Sequence, residues 1–369
     1  MKSGRKFTGS LGRFAICVVL LVWIFHAIFV LEGKRQWERA GKSWSSLSRT
    51  EQWEVAWSEG PPELWRTLRL VKPTAFALSL GFMGLTIFLG TVRWRMVLKV
   101  QGLELSFARV AEISLVAHFF NSFLLGSTGG DVLKAYYAAR ETHHKKTEAV
   151  MTVLIDRLLG LFAMLLFACV MMAPNWDVMR SSPRTIALGW TVFLMLMASA
   201  VLVGLSFWGG VSKAWPRFRA LLAKLPKGDQ VERAVEACRQ FGREHHFVYP
   251  VFLLSMVLNA ICVLQIVALV KGMGLPVPTL ALFAIVPIIV SISALPITPS
   301  GLGVRENLYV LMLTIPAINI EATQALSLSL LAYSGSLIWS VIGGMVYASR
   351  KERDRLPEIK EADALTDAL

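Results

Sequence analysis

Charge is scarce in this chain, and acid is scarcer than base. Charged residues make up 17% of the 369 positions, with 25 Asp and Glu against 38 Lys and Arg. The longest polar stretch is about forty residues, too short for a typical folded domain. No separate soluble domain is expected. Cysteine is also rare: Cys17, Cys169, Cys238 and Cys262 are the four. Three lie in apolar runs and one in a basic loop, with no metal-ligand spacing. That excludes a disulfide framework and a cysteine metal site. There is no HExxH, no Ser-His-Asp arrangement and no nucleotide-binding glycine loop. No cofactor is expected, and any transport would be passive or ion-coupled.

What fills the chain instead is apolar. Hydrophobic residues reach 55%, and mean hydropathy is +0.55. Runs at about 14–31, 74–92, 149–172, 186–208, 249–270 and 325–347 are long enough to cross a bilayer as helices. The first follows a basic N-terminus but lacks a small-x-small cleavage site, so it reads as a retained helix. Two more apolar regions, 107–125 and 279–316, are interrupted by glycine, proline and hydroxyl residues. The fold expected is an all-α polytopic membrane protein. It has six full crossings plus two re-entrant or broken helix pairs. Residues 1–349 form one membrane domain, followed by a polar tail over 350–369.

Loop charge sets the orientation. If the six uninterrupted runs cross and the broken ones return, one face carries 25 Lys and Arg and the other carries 12. The positive-inside rule puts the richer face, and both termini, in the cytoplasm. The basic loop 209–248 then lies inside. If 107–125 crossed alone, that loop would move outside. The segment "DVLKAYYAARETHHKKTE" is too polar to face lipid, so a returning pair is the better reading. Segment 32–72 falls on the outer face. It holds Trp37, Trp44, Trp53, Trp57 and Trp65, and Trp favours the membrane interface. It reads as amphipathic helices lying on that surface. The excess of base therefore points to topology and anionic lipid, not to nucleic acid.

The breaks are "NSFLLGSTGGDVLKAYYA" and "SALPITPSGLGVRENLYVLM". Irregular backbone survives in a bilayer only inside protein or beside a water-filled cavity. Both run from an apolar helix through small residues to a charge and a new helix. Entering from opposite faces, they have the pattern of an inverted repeat. Helices starting at Gly130 and Gly303 would point free N–H groups at an anion. Lys134 and Arg305 stand beside those starts, and Asp131 and Glu306 could hold the bases or meet an ammonium group. The residues expected to bind substrate are Asn121, Ser127, Thr128, Gly129, Gly130, Asp131 and Lys134 at the first break. Thr298, Ser300, Gly301, Gly303, Arg305 and Glu306 are their counterparts at the second. Asp156 and Arg157 join them as charges inside a span, read as an intramembrane ion pair. Simpler readings stand beside these: a glycine loop that only turns a hairpin, Asp131 as an N-cap, and a structural role for Asp156 and Arg157 near the cytoplasmic end, paired with Lys134 or Glu306. Arg93 and Arg95 are expected to snorkel at the interface.

At these loops the chain resembles the transmembrane region of lysylphosphatidylglycerol synthases, a flippase-like domain family. Three stretches carry the resemblance: "NSFLLGSTGGDVLKAYYA", "VLIDRLLGL" and "LPITPSGLGVRENLYVLML". Leu125 stands where proline is usual, Lys134 where arginine is usual and Ser300 where glycine is usual. Lysine keeps the charge but loses the bidentate fork. The resemblance implies a lipid translocase of the bacterial inner membrane without a synthase domain. The ligands it implies are phospholipid, aminoacyl-lipid, hopanoid, glycolipid or polyprenyl phosphate. A homodimer or a lipid-biosynthesis partner is also compatible. Two other readings stay open: a membrane-embedded transferase on a lipid-linked substrate, and a non-transporting partner of a lipid-modifying complex.

Overall fold

The computed structural model describes residues 40–69, 71–122, 129–142, 145–208, 240–241, 245–295 and 301–349, with scattered positions between 22 and 38. Five of its helices are long and apolar enough to cross a membrane. They are α2 (Pro73–Val100), α5 (Lys146–Met172), α7 (Pro183–Trp208), α8 (His245–Gly272) and α11 (Ala322–Ser349). Each covers one of the apolar runs and extends a few residues past it. The expected first crossing, 14–31, lies largely outside the described residues, as do most of loop 209–248 and the tail 350–369. The polytopic all-α reading holds: the helices are amply apolar, and no strand occurs among the described residues.

The two interrupted regions are helix pairs. The first is α3 (Phe107–Asn121) and α4 (Gly129–Glu141). The second is α9 (Thr279–Ser293) and α10 (Val304–Leu313). All four are shorter than the roughly 20 residues a crossing helix needs. Two contacts fix the first pair as an antiparallel hairpin. Near its mouth, Arg109 Nε donates to Glu141 Oε1 at 2.9 Å. At its tip, the Gly130 N–H donates to Asn121 Oδ1 at 2.8 Å. Ser106 starts α3 by accepting from the Arg109 N–H. The tip residues 123–128 lie outside the described residues.

Packing joins these parts into two main apolar cores and a small third one around Val97, Ile155 and Val251. The larger unites α5, α8, α9, α10 and α11 through residues such as Leu165, Leu269, Ile285, Met312 and Leu328. The smaller unites α2, α3, α4 and α11 around Trp94, Ile113, Phe119 and Tyr137. Helix α2 packs most extensively against α8, and α11 against α3. The α11–α3 seam is built from small residues. A Cβ on Gly343 would collide with the Leu115 carbonyl, and one on Gly344 would come within 2.9 Å of the Phe119 ring. The Ser122 and Ser340 hydroxyls bond across the seam, and His118 Nε2 lies 3.3 Å from the Ser336 carbonyl. Such close approach of backbones is how helices associate where lipid replaces water.

Segment 32–72 contains a short turn, Trp44–Ser46, and helix α1 (Arg49–Arg69). Its start is a reciprocal cap. The Ser48 N–H donates to Glu51 Oε2 at 2.7 Å, and Ser48 Oγ accepts from the Glu51 N–H at 3.4 Å. The Ser48 hydroxyl bond, then its backbone bond, hold the Glu51 carboxyl below its ordinary pKa. One face of α1 packs Ala56 against Gly33 and Gly60 against Phe29. Trp53, Trp57 and Trp65 remain exposed.

Candidate functional site

A charged cavity of about 180 Å³ opens where α2, α3, α4 and α5 meet. Polar side chains reach it from all four helices: Thr91 and Arg93, then Ser114, His118 and Asn121, then Asp131 and Lys134, then Asp156 and Arg157. Asp156 is its centre. This carboxylate is buried, at 6% exposure, inside a spanning helix. An unpaired charge there would be very costly. Arg93 Nε donates to its Oδ1 at 2.8 Å, and Lys134 Nζ to its Oδ2 at 3.3 Å. Arg93 is held in turn by Ser255 Oγ on α8, 3.3 Å from its Nη1. Lys134 Nζ sits 4.2 Å from the centre of the Trp94 ring, a favourable place for a cation. The Trp94 indole N–H donates to Thr152 Oγ1 at 3.3 Å, which fixes that ring.

The second pair at the site is more open. Arg157 Nε lies 3.5 Å from Asp131 Oδ2, with side chains 41% and 22% exposed. Three cations and two carboxylates therefore line one cavity, leaving it net positive. That charge balance suits an anionic group, while the partly exposed Asp131 offers a contact for an ammonium.

Four expectations change here. Asp156 and Arg157 do not pair with each other. Neighbours on a helix point about 100° apart, and each finds a partner on another helix. Arg93 does not snorkel; it is a buried partner of Asp156. The N–H of Gly130 is not free for a ligand, because Asn121 takes it. The same is true at Gly303, whose N–H donates to Glu306 Oε2 at 2.6 Å. Sequence reasoning missed Arg93, which falls just past the apolar run 74–92, where a cation is expected to snorkel; the one signal for it was the need of the intramembrane acid Asp156 for a partner.

Gly130 has a steric role. A Cβ there would collide with the Ala117 carbonyl oxygen, so only glycine lets α4 start this close to α3. Gly129 heads the same helix. Ser127, Thr128, Thr298 and Ser300 lie outside the described residues.

The second break forms a separate cluster. Gly301, Gly303, Arg305 and Glu306 do not line the cavity. Gly301 and Gly303 have φ of 70° and 83°, values that favour glycine. Glu306 is fully buried at 0% exposure. Arg305 Nη2 donates to its Oε1 at 2.5 Å, and Ser329 Oγ donates to the same oxygen at 3.4 Å. The Arg305 guanidinium lies 4.2 Å from the Tyr333 ring centre. Acid, base, ring and cap thus satisfy one another within α10 and α11. The described residues hold no group of three His, Cys, Asp or Glu side chains placed to bind a metal ion.

Comparison with known proteins agrees with this architecture. A UPF0104 membrane protein of Methanothermobacter thermautotrophicus is 22% identical over 326 residues, covering 80% of this chain and 90% of the relative. A UPF0104 membrane protein of Methanocaldococcus jannaschii is 22% identical over 266 residues, covering 69% and 78%. The family described as "Lysylphosphatidylglycerol synthase TM region" matches residues 52–344, which include both helix pairs and all five spans almost entire. The chain is therefore a membrane protein that belongs to the lysylphosphatidylglycerol synthase TM region family.

Proposed function

We propose that this protein is a lipid translocase and that the cavity at Asp156 receives the lipid headgroup. The observation that carries the reading is the net-positive cavity lined by Arg93, Asp131, Lys134, Asp156 and Arg157 among spanning helices. A headgroup would exchange water for these charges while its acyl chains stay in hydrocarbon. The ligand would be anionic or zwitterionic. Its phosphate or carboxylate meets Lys134 and Arg157, and any ammonium meets Asp131.

In this reading α3–α4 and α9–α10 are re-entrant pairs entering from opposite faces, an inverted repeat by topology. Helix α10, at 10 residues, spans roughly 15 Å, about half the hydrocarbon core. Both termini lie in the cytoplasm and α1 lies in the outer interface, as loop charge and the exposed tryptophans indicate. The membrane is a bacterial inner membrane.

The test is leaflet-to-leaflet movement of labelled lipids in vesicles holding the purified protein. Lys134→Ala is expected to abolish headgroup-selective movement. Arg305→Ala is expected to reduce folded yield more than selectivity. A well-folded wild-type protein that moves no phospholipid, aminoacyl-lipid or polyprenyl phosphate would sink the translocase reading.

A further inference from the structure

Asp156 has two cationic partners, and they are held in different ways. Arg93 is fixed from three spans. It rises from α2, donates to Asp156 on α5 at 2.8 Å, and donates to Ser255 on α8 at 3.3 Å. Gly160 on α5 makes the room: a Cβ there would stand 2.8 Å from Arg93 Nη2. Lys134 is held more loosely. Its bond to Asp156 is longer, at 3.3 Å. It comes from α4, the second arm of the hairpin, on a flexible four-carbon stem. Its other contact is the face of Trp94.

A buried carboxylate stripped of its only partner is costly. Asp156 escapes that cost if Lys134 departs, because Arg93 stays. We infer that Lys134 is the exchangeable cation of this triad and Arg93 the permanent one. Lys134 leaves Asp156 to meet an anionic group entering the cavity, and Arg93 keeps Asp156 compensated during the exchange. Arg93 is a positioning residue that acts through Asp156. The identity of the entering group rests on the translocase reading; the exchange itself does not.

The experiment uses the purified full chain in vesicles and two readouts. One is movement of labelled phosphatidylglycerol between leaflets. The other is the rate at which a water-soluble amine-acylating reagent modifies Lys134, followed by mass spectrometry. Arg93→Gln leaves Lys134 as the sole partner of Asp156. It is expected to slow both readouts about tenfold or more, the scale set by losing one member of a buried charge pair. Adding Asp156→Asn frees Lys134 and restores both. Arg93→Lys keeps the charge but loses the fork that reaches both Asp156 and Ser255, so it is expected to fall between wild type and Arg93→Gln in both readouts. A purely structural Arg93 predicts the reverse: the double variant moves lipid no faster than Arg93→Gln, with Lys134 acylation unchanged across the series, and that pattern overturns the inference. If Arg93→Gln does not fold, Asp156→Asn alone decides. Faster acylation of Lys134 supports exchange, and an unchanged rate overturns it. If wild type moves no lipid, the translocase reading fails, yet the order of acylation rates still decides the exchange.

Discussion

The two broken helix pairs carry similar residues and use them in opposite ways. In α3–α4, the charges reach across the molecule. Asp131, Lys134, Asp156 and Arg93 come from three helices and surround open space. In α9–α10, the charges turn inward. Arg305 and Glu306 are chain neighbours, and Glu306 also caps its own helix through the Gly303 N–H. The first arrangement leaves its groups bordering open space. The second uses a comparable set of groups up on itself. An acid, a base and glycines in a broken helix are therefore not sufficient to mark a binding site. What matters is whether the charges find partners locally or across a gap.

Substitutions can sharpen or break this contrast. The largest effect is expected from Glu306→Ala. It strands the Arg305 guanidinium and frees the Gly303 N–H, costing about 3–5 kcal/mol. Thermal unfolding in detergent would show it as a large drop in Tm; a melting curve like that of wild type would mean the second helix pair is not internally locked. Next is Gly130→Ala. Its methyl group would collide with the Ala117 carbonyl, and overpacking of this kind costs about 2–3 kcal/mol. The same melting experiment should show this loss.

Gly303→Ala should be milder. Nothing lies within 4 Å of its Cβ position, so only the left-handed backbone opposes it, at about 1–2 kcal/mol. The two glycines thus separate a steric need from a conformational one. If Gly303→Ala proves the more damaging in the melting curves, that assignment is reversed. The smallest loss, about 1 kcal/mol, is expected for Asn121→Ala, which removes the cap on the Gly130 N–H. Hydrogen exchange should show it as faster exchange of that amide, with the rest of α4 unaffected.

The sequence made some of this legible and hid the rest for identifiable reasons. Long apolar runs announced α2, α5, α7, α8 and α11, because a helix that faces lipid must be apolar over its whole length. Loop charge announced a hairpin at 107–141, because only a pair of short helices leaves the basic loops on one side. Asp156 stood out as an acid inside a span. Of its partners, Lys134 was already a candidate and Arg93 was not. Pairing it with Arg157 followed chain order, whereas a helix sends adjacent side chains in different directions. Arg93 sits beside Trp94 and Arg95, a grouping typical of the interface, so its inward direction was not visible. The helix starts expected at Gly130 and Gly303 fall within one residue of the observed ones, Gly129 and Val304. Their N–H groups were read as free because the capping partners, Asn121 nine residues earlier and Glu306 three later, are decided by how the chain folds back.

The glycine and serine seam between α11 and α3 has a mechanical meaning. Helices normally hold their axial register by ridges of side chains set into grooves. Gly343 and Gly344 form such a groove, and the Leu115 carbonyl and the Phe119 ring sit in it. The Ser122–Ser340 and His118–Ser336 contacts fix the same height. The seam therefore acts as a keyway: it indexes α3, and with it His118 and Asn121 at the cavity wall, against α11. A methyl group at position 343 would force the key out and shift that wall.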